Sequence, residues 1–212
     1  MGTLTPSALR QQIHSGQLES VYLVLGADEH EKDEISDTFE SAVEEDLRPF
    51  NVDRFDGLDA GGGQSSKLSL GDVLGALQTL PMMAPKRVVI ARRAELLLQP
   101  KRESESTLRD LTLLEEYLEN PAQTTTLVLI AESLDDRRRI SKRLNASATV
   151  VRCGNLEDVS DAAYWINRQA KAVGIAMEPG AVRELSTRKG IKSVIRKLLT
   201  NPISYWRGGN SS

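Results

Sequence analysis

Apolar residues along this chain alternate between short continuous runs and a spacing of three to four residues. The runs Val21 to Leu25, Asn51 to Phe55, Arg87 to Ala91, Thr126 to Ala131 and Thr149 to Cys153 are bounded by turn residues, which predicts five strands. Between them the apolar positions fall on one helical face. Thr5-Pro6 reads as a cap followed by proline at the first helical position, with Leu9 and Ile13 in phase and a stop near Gly16. The segment after the first strand keeps Ile35, Phe39, Ala42 or Val43, and Leu47 in phase, and Pro49 is expected to end it. Further helices are predicted over Ser69 to Leu80, Leu108 to Leu118 and Asp135 to Leu144. Gly61-Gly62-Gly63 with Gln64-Ser65-Ser66 reads as a flexible loop, and Gln99 to Ser106 as a surface connection.

Strands alternating with amphipathic helices predict an α/β fold, a five-stranded parallel sheet with helices on its faces. After Gly154 the pattern is helical alone. Ala163, Ile166, Ala170 and Val173 share a stripe, Gly174 caps it, and Glu178-Pro179 opens another helix. The expected division is an α/β domain over 1–154, a small helical domain over 155–200, and a tail over 201–212.

Composition narrows the chemistry. Of 212 residues, 40% are apolar, enough for a sizeable core. No stretch approaches about 18 consecutive apolar residues and the N-terminus lacks a signal-type apolar run, so a soluble, cytoplasmic protein without a membrane partner is expected. One cysteine, Cys153, excludes an intramolecular disulfide and is read as a small hydrophobe. With His14 and His30 the only histidines, neither a metal site nor histidine catalysis is expected. The net charge of −3 is uneven: residues 183–212 carry seven Lys and Arg against one Glu, leaving 20 against 29 in the remainder. A net-acidic body repels phosphate, so free nucleic-acid binding by it is not favoured.

The stretch VYLVLGADEHEKDEI places an apolar strand, Gly26 and a helix start where a phosphate-binding loop would lie. Lys32 falls on the lysine of that motif. Glu31 stands where its second glycine belongs, and Asp33 where its Ser or Thr belongs. Carboxylates in the first turn stabilise the helix and repel an anion from its N-terminus. A metal-holding carboxylate is expected at a strand tip in such enzymes. The strand RVVI ends instead in Ala91-Arg92-Arg93, and LVLI ends in Ala131-Glu132, which is weak support. Nucleotide hydrolysis is therefore not expected, and no cofactor is assigned.

Several stretches, taken in order, resemble the δ subunit family of the bacterial DNA polymerase III clamp loader. They are LRQQIHSGQLESVYLVLGADEHEKDEI, FNVDRFDG, LGALQTLPMMAPKRVVIARRAELL, LEEYLENPAQTTTLVLIAESLDDRRRISKRL and WINRQAKAVGIAMEPGAVREL. The resemblance implies an AAA+-like sheet followed by a three-helix lid. It implies a subunit that does not itself hydrolyse ATP, within a DNA-directed DNA polymerase assembly used in replication. Its partners would be the sliding clamp, which it helps open, the other loader subunits, and DNA indirectly.

The family's clamp-binding element maps onto Leu80, Pro81, Met82 and Met83, with Met83 where an aromatic is usual. Two flexible apolar side chains held between prolines suit a partner's pocket. Without the resemblance, methionines near a helix end are more often core. Arg137, Arg138, Arg139, Lys142 and Arg143 are read as one short helix, facing DNA, a neighbouring subunit or solvent. Trp165 is expected to pack within the lid or on the sheet domain. Beyond about Arg188 the resemblance fails: the family continues with a lid helix and a helical collar, whereas this sequence reads KGIKSVIRKLLTNPISYWRGGNSS. The resemblance thus implies an incomplete lid over 155–200 with an uncovered apolar face around Ile166 and Val182, and a chain that engages the clamp but joins the motor subunits poorly. Two alternatives stay open, a nucleotide-binding enzyme using Gly26 to Lys32, and a DNA-binding protein using the basic helix and tail.

Overall fold

Successive residues of one strand serve two different cores. Val21 and Leu23 of β2 (Val21–Leu25) pack on one side of the sheet, while Tyr22 and Val24 pack on the other. A strand covered on both faces reads as a continuous apolar run because neither face can be polar. The structure, a computed structural model, describes residues 2–60, 68–100 and 104–153, then 163, 166, 167, 170, 171, 174 and 177–187.

The strands are β1 (Thr3–Leu4), β2, β3 (Val52–Asp56), β4 (Arg87–Arg92), β5 (Thr125–Ala131) and β6 (Thr149–Arg152). They form one six-stranded parallel sheet in the order β1-β6-β2-β5-β4-β3. The sixth strand corrects the expectation of five. β1 is two residues long, pairing Thr3 with Val150 and Leu4 with Val151. Two residues cannot display a strand period, and Thr5 immediately caps the helix that follows.

Helices α1 (Pro6–His14) and α2 (Glu29–Ser41) cover the face centred on Tyr22, whose ring lies 4.8 Å from that of Phe39. The other face carries α4 (Leu70–Leu77), α5 (Glu95–Leu98), α6 (Glu105–Glu119) and α7 (Arg139–Ser147). The short α3 (Arg48–Asn51) leads into β3.

Several boundaries differ from expectation. Helix α2 ends at Ser41, and Pro49 lies inside α3, where a first-turn proline loses no hydrogen bond. Helix α4 stops at Leu77, so Leu80 lies beyond it. Helix α7 starts at Arg139, because the Asp135 carboxylate accepts hydrogen bonds from the Arg137 amide and guanidinium and holds residues 135–138 as a turn.

The chain divides into two compact units, Met1–Gly154 and Asn155–Ser212. In the second, residues 163, 166, 167, 170 and 171 are helical and α8 spans Pro179–Thr187. Among the described residues of this unit, Ile166 and Val182 are themselves buried. Trp165, Val173, the glycine loop at 61–63 and the tail from 188 lie outside the described residues.

Candidate partner-binding site

Helix α4 fixes where the loop after it begins. Ser69 and Asp72 close a reciprocal capping box at its start, and Leu70, Val73, Leu74 and Leu77 are buried against the sheet. The chain then leaves the helix, runs through residues 80–85, and enters β4 at Arg87. In this loop Leu80 is 76% exposed, Met82 54% and Met83 88%. Pro81 is half-buried. Neither methionine belongs to a core, which removes the bland reading of the sequence at these two positions.

Exposure here is held in place. Asn51, fully buried at the end of α3, accepts a hydrogen bond from the Met82 amide at 2.7 Å. Its Nδ2 donates to the Met82 carbonyl at 2.8 Å and to the Leu47 carbonyl at 2.9 Å. One side-chain amide thus fastens both backbone groups of Met82. Met83 follows with φ of +54°, a left-handed conformation uncommon for a residue with a Cβ. Such strain costs on the order of 1 kcal/mol and persists where the surroundings impose it.

The position follows from the parallel register. Val52 pairs with Val88, so the chain entering β3 lies beside the chain entering β4. Arg87 ties the two together, donating from Nε to Asp53 and from Nη1 to the Phe50 carbonyl, both at 2.7 Å. The loop therefore lies at the N-terminal ends of the strands. The Gly26 turn, after β2, lies at the opposite, C-terminal ends.

That turn is occupied by the protein's own groups. Gly26 has φ of +154°, and a Cβ there would fall 2.3 Å from the Cys153 carbonyl oxygen. The glycine is required by the close passage of the chain leaving β6. Asp28 caps α2, its Oδ1 accepting from the Glu31 amide at 3.0 Å, so a carboxylate fills the helix N-terminus. Lys32 is buried and bonded to Glu29 at 2.6 Å, while Glu31 is buried too. Asp33 is ion-paired with Arg92 at the end of β4. Cys153 is buried, and burial together with the Glu31 and Asp28 carboxylates pushes its thiol well above the ordinary range.

The basic cluster is split and largely matched by acids. Arg137 and Arg138 precede α7, while Arg139, Lys142 and Arg143 lie on it. This corrects their assignment to one helix. Arg139 pairs with the buried Glu115 of α6, Arg143 with Glu119 at 2.7 Å, and Arg137 with Asp135 at 3.0 Å. Two of these pairs link α6 to α7, and all three offset charge that would otherwise face a polyanion. Among the described residues, no group of three metal-ligand types converges and no helix is long and apolar enough to cross a membrane.

A sequence profile of the family described as "DNA polymerase III, delta subunit" matches residues 22–154. The chain belongs to the DNA polymerase III delta subunit family. Among curated relatives, the DNA polymerase III subunit delta of Bacillus subtilis is 24% identical over 160 residues, covering 74% of this chain and 44% of that protein. Among solved structures, the Bacillus subtilis DNA clamp loader delta protein aligns with a TM-score of 0.63 at 22% identity. That match covers 94% of this chain and 58% of the other. The fold is thus that of a delta subunit, AAA+-like, with β1 at one edge of its sheet. This delta-family chain spans about half the length of the relatives it matches. Within it, the sequence singles out Met82 and Met83 as candidates but not Asn51, which reads as the start of a strand and shows its hold on the loop only through a contact 31 residues away.

Proposed function

We propose that this chain acts as a clamp-loader delta subunit, binding a ring-shaped sliding clamp through Leu80, Pro81, Met82 and Met83 and helping to open it for loading onto primed DNA. The observation carrying this reading is the outward display of Met82 and Met83 on a backbone locked by Asn51. A loop backbone already fixed in place loses little further freedom on binding, so more of the burial of its apolar side chains appears as affinity. Opening the clamp requires nothing of the Gly26 turn, whose lysine and acids are already engaged with one another or with Arg92. ATP hydrolysis accordingly belongs to other loader subunits, which are this chain's further proposed partners. Residues 1–154 are proposed as the clamp-binding AAA+-like domain and the following helices as its lid.

Binding to an immobilised bacterial sliding clamp, followed by surface plasmon resonance, tests the reading. Met82→Ala and Met83→Ala should each weaken binding by roughly thirtyfold, equivalent to about 2 kcal/mol for an interface anchor. Because both side chains are exposed, their melting temperatures should stay within about 1 °C of the parent. Unchanged affinity in the folded double variant would overturn the assignment.

A further inference from the structure

A further exposed apolar side chain lies beside the residue that holds the methionine loop: Phe50, on α3, is 54% exposed. It immediately precedes Asn51, whose amide holds Met82 by both backbone groups. Its own carbonyl accepts from Arg87 at 2.7 Å, one residue before β4 pairs with β3. Helix α3 and the loop are thus one fastened unit at the N-terminal ends of β3 and β4.

We infer that Phe50 is an additional anchor for the same partner, so that the docking surface comprises α3 as well as the loop. This rests on the clamp-binding reading of Met82 and Met83. Two facts favour the same occupant over an independent one. Asn51 joins the segment that carries Phe50 to the loop that carries Met82 and Met83. The lock keeps the Phe50 and Met82 backbones in fixed register, so one rigid partner surface meets both. An aromatic anchor has two side-chain torsions to order, fewer than methionine, and is enriched among residues that dominate interfaces.

The experiment uses the full chain and a purified bacterial sliding clamp immobilised on a sensor surface. Phe50→Ala should weaken binding about tenfold, chiefly through faster dissociation, and Phe50→Leu by less. Both should melt with the parent protein. Leu58, 59% exposed after the C-terminal end of β3, is the control, and Leu58→Ala should bind as the parent does. If Phe50→Ala binds within twofold of the parent while Met82→Ala and Met83→Ala fail, the inference is wrong and the loop reading stands. If Leu58→Ala weakens binding as much as Phe50→Ala, the effect is not local and the inference is equally overturned. If the parent itself does not bind the clamp, both readings fall.

Discussion

Arg92, the last residue of β4, is ion-paired with Asp33 on the second turn of α2. In sequence these are the cation near the expected metal position and the acid in the expected hydroxyl position of a phosphate-binding loop. In the fold they neutralise one another across the mouth of that turn. Lys32, which would meet a phosphate, is instead buried against Glu29. Mg-ATP should therefore produce no stoichiometric heat in titration calorimetry at micromolar concentration, and the chain alone should release no phosphate. A saturable site at that concentration would reverse the conclusion.

Asn51→Ala removes three side-chain hydrogen bonds at a buried position. The expected loss is about 1–3 kcal/mol of stability, a fall in Tm on the order of 2–10 °C. Amide hydrogen exchange gives the local readout: the Met82 N–H should exchange faster than in the parent. Asn51→Asp keeps the acceptor and should retain more of that protection. Equal exchange in all three proteins would show that Asn51 does not hold the loop.

Gly26→Ala should destabilise the fold by more than about 1 kcal/mol, because the added carbon would sit against the backbone carbonyl of Cys153 and the backbone is left-handed in φ. For a chain of this length that lowers Tm by more than about 2–4 °C. A glycine retained for phosphate approach would instead tolerate alanine when no nucleotide is present. Thermal denaturation in nucleotide-free buffer distinguishes the two.

The Asp135 carboxyl is held at about 2, first by the Arg137 guanidinium and then by the Arg137 amide, against an ordinary value of 3.8. A depressed acid contributes stability that is present above its unfolded value and lost as pH falls through the folded one. The window is therefore between about pH 4 and pH 2. The Asp135 carboxylate lies in a surface turn, 37% exposed and paired with the exposed Arg137, so the effect on global unfolding is small and the useful readout is local. Carbon-13 NMR of the side-chain carboxyl should titrate near 2 in the parent and move toward 3.8 in Arg137→Ala.

The sequence by itself determined the α/β alternation and all five expected strands to within a residue, four of them because strands buried on both faces must be continuously apolar. It also determined that the Gly26 turn carries acids where a phosphate loop needs glycine and a hydroxyl, since that is a matter of residue type alone. It did not reveal β1, whose two residues form a strand solely by pairing with β6. Nor did it decide between core and surface for Met82 and Met83, because the same side chains suit both. That choice was made by Asn51, which lies 31 positions before Met82 in the chain and directly against it in space. The reason for Gly26 was likewise hidden, since Cys153 is brought to it by a sheet order that skips across the chain. Local chemistry is written in residue types and periods. Which surface is displayed, and which glycine is indispensable, depends on pairings between distant strands and loops that no local pattern encodes.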